Sequence, residues 1–393
     1  MENRHWLLPE GIDEVLPPDA LALERLRRAL LDRYGSWGYE LVSPPLIEYL
    51  ESLLTGTGGD LDLKTFKLTD QLTGRTMGVR ADITPQVARI DAHLLRAGHP
   101  TRLCYCGTVL NTRNDDFGGS RSPLQLGAEL YGHAGVESEL EILCLMLETL
   151  ECAAIPEVYL DLGHVGIFRA LTRQAGFTPP QEMALFDALQ RKAIPEIEGL
   201  VAGFGVEAQS AAMLSALAGL SGGPEVLERA RVSLSAAPEP AHEAIAQLEH
   251  LARQMSRRRP DVQVHFDLAE LRGYHYHAGV VFAAYAPGLG TELARGGRYD
   301  DIGRVFGRAR PACGFSADLK LLYRLGQSEV EHQGGIFAPA CDEPGLVQRI
   351  RELREQGQRV VCALPGQEGD ARAMGCGETL EKQGMEWIVA PVV

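Results

Sequence analysis

Four polar segments of the chain hold side chains able to grip a small charged ligand. They are Arg80-Ala81-Asp82-Ile83-Thr84, Gln125-Leu126-Gly127-Ala128-Glu129, Leu271-Arg272-Gly273-Tyr274-His275-Tyr276-His277 and Ala294-Arg295-Gly296-Gly297-Arg298-Tyr299-Asp300. Each falls at the end of a predicted strand, and each taken singly is as readily ordinary loop chemistry. Together they have a physical meaning. Gln125 and Glu129 stand four apart on an alternating strand, so their side chains share one sheet face. A carboxylate beside an amide, joined by Asp82 and the hydroxyl of Thr84, supplies the several acceptors that an ammonium group needs. Arg272 offers a planar donor fork to a carboxylate. Tyr276 and His277 suit the framing of a planar ring. The constellation fits a zwitterionic amino acid with an aromatic or imidazole side chain.

The elements that must position these residues read as follows. Asp19 stands as an N-cap before Leu23, Leu26, Leu30 and Tyr34 at helical spacing, with Gly35 as the stop. Tyr39 to Val42 reads as a strand cut by Pro44-Pro45. Phe66–Asp70 and Thr76–Arg80 form a predicted hairpin, and a helix opens at Pro85 and runs through Leu95. Leu103–Leu110 and Leu124–Gly132 are strands joined by a polar loop, and a helix over 137–152 packs Leu140, Leu143, Leu147 and Leu150 on one face. From about 165 to 259 the chain turns Ala/Leu-rich, with breaks at Thr178-Pro179-Pro180, Ser221-Gly222-Gly223-Pro224 and Ala237-Pro238-Glu239-Pro240; this predicts a helical insertion outside any sheet. Strands return at Val262–Phe266, where His265 is expected to be solvated or to line the sheet. Gly279–Tyr285 and Thr291–Arg295, with Gly296-Gly297, form a further predicted hairpin around a turn at Pro287-Gly288, and the Gly-Gly-Arg segment taken singly reads as a turn. Pro311–Ser316 precedes a helix over Ala317–Leu325. The tail, 334–393, reads as strand, helix and strand, a small α/β domain near the lower size limit for independent folding.

Bulk properties narrow the classes of partner. The 393 residues carry 38 Lys+Arg against 53 Asp+Glu, a formal charge of −15, which opposes general binding to nucleic acid or anionic membranes. The most apolar stretch, Ile142–Leu150, is short and bounded by glutamates, so no membrane span is expected. The cysteines form no Cys-x-x-Cys pair and are read as thiols of a reducing, cytoplasmic protein, although Cys104 and Cys106 leave a zinc site formally open. No cofactor and no metal are expected.

The order of the segments carries a family resemblance. The chain from about Leu8 to Gly326 resembles the catalytic domain of class II histidyl-tRNA synthetases. Gly38-Tyr39-Glu40 through Pro45 resembles the first class II motif, Arg80–Thr84 the signature Arg-Pro-Glu-Gly-Thr, and 107–132 the second motif. Arg272–His277 is similar to the histidine-specific Arg-Gly-Leu-Asp-Tyr-Tyr, and Gly296–Asp300 matches Gly-Gly-Arg-Tyr-Asp. The resemblance implies an α+β fold: a class II synthetase-like antiparallel sheet flanked by helices over 1–326, with the insertion at 165–259 and a small α/β C-terminal domain at 334–393. It also implies histidine contacts from Asp82, a shortened glutamate, with Thr84, Gln125, Glu129, Arg272, Tyr276 and His277.

The departures from the synthetases are as informative. The second-motif arginine for the α-phosphate and a nearby glutamate align with Asn111 and Arg113, and the third-motif arginine aligns with Leu321, beside Lys320. Loss of one preorganised charge-stabilising group costs about 100–1,000-fold in rate, so aminoacylation is not expected and no catalytic residue is assigned. The anticodon-binding domain is replaced by the short tail. Within the superfamily this profile resembles the regulatory subunits of ATP phosphoribosyltransferase, on Leu53–Gly58, Gly78–Val87, Gly127–Gly135, Arg272–Gly279 and Ala363–Gln367. That resemblance implies a non-catalytic subunit for the first step of histidine biosynthesis. Its partners would be a short-form catalytic subunit, a second copy in a self-dimer within a hetero-oligomer, and L-histidine as feedback ligand. Two readings stay open beside it: a divergent histidine-activating ligase and a binder of tRNA-like RNA.

Overall fold

The computed structural model describes residues 6–55, 59–113, 119–271, 273–274, 276–326 and 334–392. Its contacts divide the chain into two units, Met1–Ser328 and Glu329–Val393. In the first unit the strands are β1 (Glu40–Leu41), β2 (Ile47–Tyr49), β3 (Phe66–Thr69), β4 (Thr76–Val79), β5 (Thr101–Thr108), β6 (Leu124–Tyr131), β7 (Tyr159–His164), β8 (Ser221–Gly222), β9 (Gln263–Asp267), β10 (Val280–Tyr285), β11 (Ala294–Arg298) and β12 (Ala312–Asp318). β2, β4 and β3 form a small separate sheet. The others form one sheet in the order β1-β5-β6-β12-β11-β10-β7-β9-β8, antiparallel except for the β1–β5 and β7–β9 pairs.

Strand alternation sorts side chains to two faces. From β5 and β6, Cys104, Leu126, Ala128 and Leu130 enter the large core, against the helices Asp19–Ser36 and Val136–Cys152. The second helix buries Leu140, Leu143, Leu147 and Leu150, each contributing about 1.5–3 kcal/mol. On the opposite face Leu103, Tyr105, Tyr131, Tyr299 and Ile83 form a smaller core. The polar residues of interest lie on that second face.

Several elements differ from their sequence-based expectations, each for a local reason. Asp19 is the first residue of its helix and not the cap, a place taken by Pro18. The helix begun at Thr84 ends at Arg89 and continues as a π-helix over Ile90–Leu95. The insertion is built of helices, but Ser221–Gly222 adds a short edge strand to the sheet, beside β9. Gly296-Gly297 are strand and not turn: a Cβ on Gly296 would overlap the Gly314 carbonyl and the Phe282 ring, so the close approach of neighbours requires glycine. β12 runs on to Asp318, and the helix starts at Leu319, because the Asp318 carboxylate caps it, accepting from Lys320 N at 3.0 Å.

The second unit contains β13 (Gly335–Ala338), the helix Pro344–Glu355, β14 (Val360–Cys362), β15 (Cys376–Gln383) and β16 (Glu386–Pro391). Strand order is β14-β13-β15-β16, so a closing hairpin adds to the expected strand–helix–strand. Its core is small, centred on Ile336, Leu346, Leu353 and Leu380. Among the described residues no helix is long and apolar enough to cross a membrane. All eight cysteines are free, and no cluster of metal-ligating side chains is found among the described residues.

Candidate functional site

The hairpin of β5 and β6 sets the floor of a polar pocket. Its register places Leu103 opposite Glu129 and Tyr105 opposite Gly127; across β12 and β11 the same row continues as Gly314 and Gly297. Glu129 therefore stands in a lane of glycines. A Cβ on Gly314 would overlap the Glu129 carboxylate and the Tyr299 hydroxyl, and one on Gly127 would overlap the Tyr105 hydroxyl. A Cβ on Gly297 would come within 2.7 Å of His277 Nδ1. Glycine here is the absence of side chains that would fill the pocket.

Asp82 and Thr84 enter from the turn before the helix Thr84–Arg89. The Gln125 amide donates to Asp82 Oδ1 at 2.7 Å and accepts from Ile83 N at 2.9 Å, while Thr84 N donates to Asp82 Oδ1 at 3.0 Å. Thr84 Oγ1 lies 3.0 Å from the Tyr105 hydroxyl, which donates to Glu129 Oε1 at 3.0 Å. A chain of hydrogen bonds thus joins Thr84 to Glu129. From the other side, Tyr276 and His277 pack edge to face, with ring centroids 5.5 Å apart, and Tyr276 lies 5.0 Å from Tyr299. Asp82, Thr84, Gln125, Glu129, Tyr276 and His277 are brought to one place. Arg272 lies outside the described residues.

The pocket is unbalanced electrostatically. Glu129 is 1 % exposed, and burial pushes its carboxyl well above the usual carboxylate range; the charge of Asp82 pushes the same way, against the Tyr105 hydrogen bond. Burial likewise raises the phenols of Tyr105, Tyr131 and Tyr276, so they remain donors, and it lowers the His277 imidazole to about 4, leaving it neutral. Glu129 Oε2, the hydroxyls of Tyr131, Tyr276 and Tyr299, and His277 Nδ1 are all buried without a hydrogen-bond partner. Buried polar atoms are ordinarily paired, so five unpaired ones in one neighbourhood mark polar demand that the chain itself does not meet.

Sequence reasoning missed Tyr105, Tyr131 and Tyr299 as lining residues. Tyr131 shares strand parity with Gln125 and Glu129 on β6, Tyr105 reaches them through the β5–β6 register, and Tyr299 follows β11 and meets Glu129 above Gly314.

The side of the cleft that would face a nucleotide is built differently. Leu321 is half-buried on the helix Leu319–Leu325, with no charge to offer. Lys320 Nζ is bound to Asp13 Oδ1 at 3.2 Å, and that carboxylate also accepts from Ser120 Oγ at 3.0 Å and Ser122 Oγ at 3.3 Å. Asn111 spends its backbone on Arg121, and the Arg113 side chain is exposed. The neighbouring cation is thus already neutralised by the chain itself.

Two arginines of the polar segments serve the scaffold. Arg80 donates to the carbonyls of Thr108 at 2.9 Å and Pro44 at 2.7 Å. Arg298 is buried against Glu139 at 2.6 Å and Ser138 Oγ at 2.8 Å. That network continues through Gln247 to His164, whose Nδ1 accepts from Gly166 N at 3.0 Å, so its Nε2 carries the proton. His265 is exposed, its Nδ1 2.9 Å from the Asp161 carboxylate.

Comparison with known proteins follows the division into two units. The histidyl-tRNA synthetase family pattern matches residues 11–322, and that of the ATP phosphoribosyltransferase subunit HisZ C-terminal domain matches 333–390. An ATP phosphoribosyltransferase regulatory subunit of Alkalilimnicola ehrlichii is 57% identical over 394 residues, covering 100% of this chain and 98% of that protein. One from Thioalkalivibrio sulfidiphilus is 58% identical, covering 99% of each. Among solved structures, an ATP phosphoribosyltransferase regulatory subunit/histidyl-tRNA synthetase from Bacillus halodurans superposes with a TM-score of 0.84 at 27% identity, over 95% of this chain and 97% of that one. The histidyl-tRNA synthetase of Nostoc superposes with a TM-score of 0.76 at 18% identity, over 96% of this chain and 91% of that one, a likeness of fold alone.

Proposed function

The chain belongs to the ATP phosphoribosyltransferase regulatory subunits, within the histidyl-tRNA synthetase family, and on that premise we propose that it holds free L-histidine without activating it. It joins a short-form catalytic subunit in the cytoplasm, is required for phosphoribosyl transfer to ATP in the first step of histidine biosynthesis, and relays feedback by the end product. The observation that carries this reading is the asymmetry of the cleft. Glu129 and the surrounding hydroxyls leave polar atoms unspent for a zwitterion beside the Asp82 carboxylate, with Arg272 assigned to its carboxylate. Leu321 offers no cation to a triphosphate, and Lys320 is held by Asp13.

Regulation of this kind is a coupling free energy and is reciprocal: histidine that favours one arrangement of the complex is bound more tightly by that arrangement. Self-association is part of the proposal. Leu41, Leu46, Ile47 and Leu94 are among the apolar side chains exposed in the single chain and open to a second copy. Neither adenylate formation nor RNA binding belongs to the function.

Co-purification with a short catalytic subunit, followed by phosphoribosyl transfer assays with and without histidine, tests it. The expected result is transfer that depends on this chain and is inhibited by histidine. Transfer by the catalytic subunit that is indifferent to this chain removes the regulatory role, and histidine-dependent exchange of pyrophosphate into ATP by this chain alone replaces it with a ligase.

A further inference from the structure

The described residues Gly273, Tyr274, Tyr276 and His277 present two faces. One carries Tyr276 and His277 into the pocket; the other drives Tyr274 into the helical insertion. The Tyr274 ring packs edge-on against Phe168 at 5.4 Å and tilted against Phe186 at 5.6 Å, and its hydroxyl donates to the Glu182 carboxylate. Arg169, on the helix Val165–Gln174, places its guanidinium over the same ring at 4.9 Å. Its Nη2 donates to the carbonyl of Tyr274 at 3.1 Å and to that of His277 at 3.2 Å. One guanidinium nitrogen therefore bridges the backbone on either side of Tyr276. Within the bridge the amides of Tyr276 and His277 donate to the Gly273 carbonyl at 2.7 and 2.8 Å, a tight turn that Gly273 permits with φ near +67°.

These contacts are poor candidates for bulk packing alone. Two carbonyls three residues apart that share one guanidinium nitrogen specify distance and direction, where an apolar contact specifies only proximity. The cation also saturates carbonyls at a turn whose side chains leave Tyr276 OH and His277 Nδ1 unpaired toward the pocket. Orientation of those two groups is thus set from the side away from the ligand.

We propose that Arg169 and the Tyr274–Glu182 hydrogen bond are positioning elements for the pocket, making the helical insertion the part of the fold that senses whether the pocket is filled. The proposal rests on the reading of the pocket as a zwitterion site for its ligand, but its mechanical part does not. Filling the pocket orders Tyr276 and His277, tightens the Arg169 bridge, and by reciprocity stabilises the helix Pro179–Gln190 that carries Glu182.

The test uses the full-length chain and three variants: Arg169→Lys, which keeps the charge and loses the planar guanidinium over the Tyr274 ring; Glu182→Leu, which removes the acceptor; and Glu182→Gln, which retains an oxygen for the Tyr274 hydroxyl. Hydrogen exchange is followed at the amides of Tyr276 and His277 and along 179–190, without ligand and with L-histidine, and histidine affinity is measured by calorimetry. In the ligand-free chain, Arg169→Lys and Glu182→Leu are expected to speed exchange at Tyr276 and His277 at least tenfold, with β6 unchanged and Glu182→Gln close to wild type. Histidine is expected to slow exchange along 179–190 in the wild type and to bind about tenfold more weakly to the first two variants. Unchanged exchange at Tyr276 and His277 in both variants overturns the positioning role, whether or not histidine binds. Faster exchange there in a chain that binds no histidine upholds the positioning role and removes the zwitterion reading instead.

Discussion

Replacing Glu129 by glutamine should stabilise the ligand-free protein while weakening its affinity for histidine. The wild-type carboxylate is sealed from water, accepts one hydrogen bond from Tyr105, and leaves Oε2 with no partner. A buried polar group left unpaired costs about 1–3 kcal/mol. The glutamine oxygen keeps the Tyr105 bond, and its amide nitrogen donates toward the Tyr299 hydroxyl, which lies over the same point above Gly314 and also lacks a partner. The gain of about 1–3 kcal/mol corresponds to roughly 2–6 °C in melting temperature for a unit of this size. The gain depends on pH with a defined sign. Burial raises the Glu129 pKa above its unfolded value, so the folded carboxyl takes up protons more readily; the penalty is absent in acid and grows as pH rises. The melting difference between Glu129→Gln and wild type should therefore widen from pH 5 to pH 8. Charge-assisted hydrogen bonds contribute about 1.5–3 kcal/mol, so histidine affinity should fall roughly ten- to a hundredfold. Histidine should raise the wild-type melting temperature and leave the variant's nearly unchanged. Scanning calorimetry with and without ligand measures all of this. A variant that melts below wild type at pH 8, or that gains as much stability from histidine as wild type does, refutes the reasoning.

Gly314→Ala places a methyl group on the Glu129 carboxylate and the Tyr299 hydroxyl, and should abolish histidine binding, read by titration, with a loss of about 1–3 kcal/mol in urea unfolding. Arg298→Met leaves Glu139 buried without its ion partner, at 6% and 0% side-chain exposure for the pair, and should cost about 3–5 kcal/mol in the same assay. His164 is held neutral by burial, its pKa lowered to about 4 from an ordinary 6.5. The unfolded chain then binds the extra proton first, so this contribution is complete above pH 6.5 and is lost as pH falls toward 4, by about 3 kcal/mol. His164→Gln should flatten that part of the stability–pH curve, measured by chemical unfolding between pH 4 and 7.

The part of the site carried by local pattern was legible in the sequence. Even spacing on one strand is enough to put Gln125 and Glu129 on the same face, and the residue types alone suggest acceptors for an ammonium. The glycine lane was not legible, because Gly296-Gly297 has the composition of a turn, and only the pairing of β11 with β10 and β12 shows what a side chain there would strike. Tyr105 and Tyr299 were missed for a like reason: the Tyr105 hydroxyl meets Glu129 through the β5–β6 register, and the Tyr299 hydroxyl meets it above Gly314 of β12. Arg310, which holds Asp91 at 3.0 Å across 219 residues, has no local signature at all. In the tail, β15 and β16 carry Glu378, Glu381 and Lys382 on a partly solvated hairpin, so their alternation is diluted by charge. Elements specified by nearest neighbours could be read from the chain; those specified by distant contacts could not.

Calorimetric titration of the full-length chain with L-histidine and, separately, with ATP tests the central asymmetry most directly. The account predicts saturable histidine binding at one site per chain, weakened in Glu129→Gln, and no ATP binding at the cleft. Tight ATP binding that strengthens in the presence of histidine, or no heat with histidine at all, would contradict it.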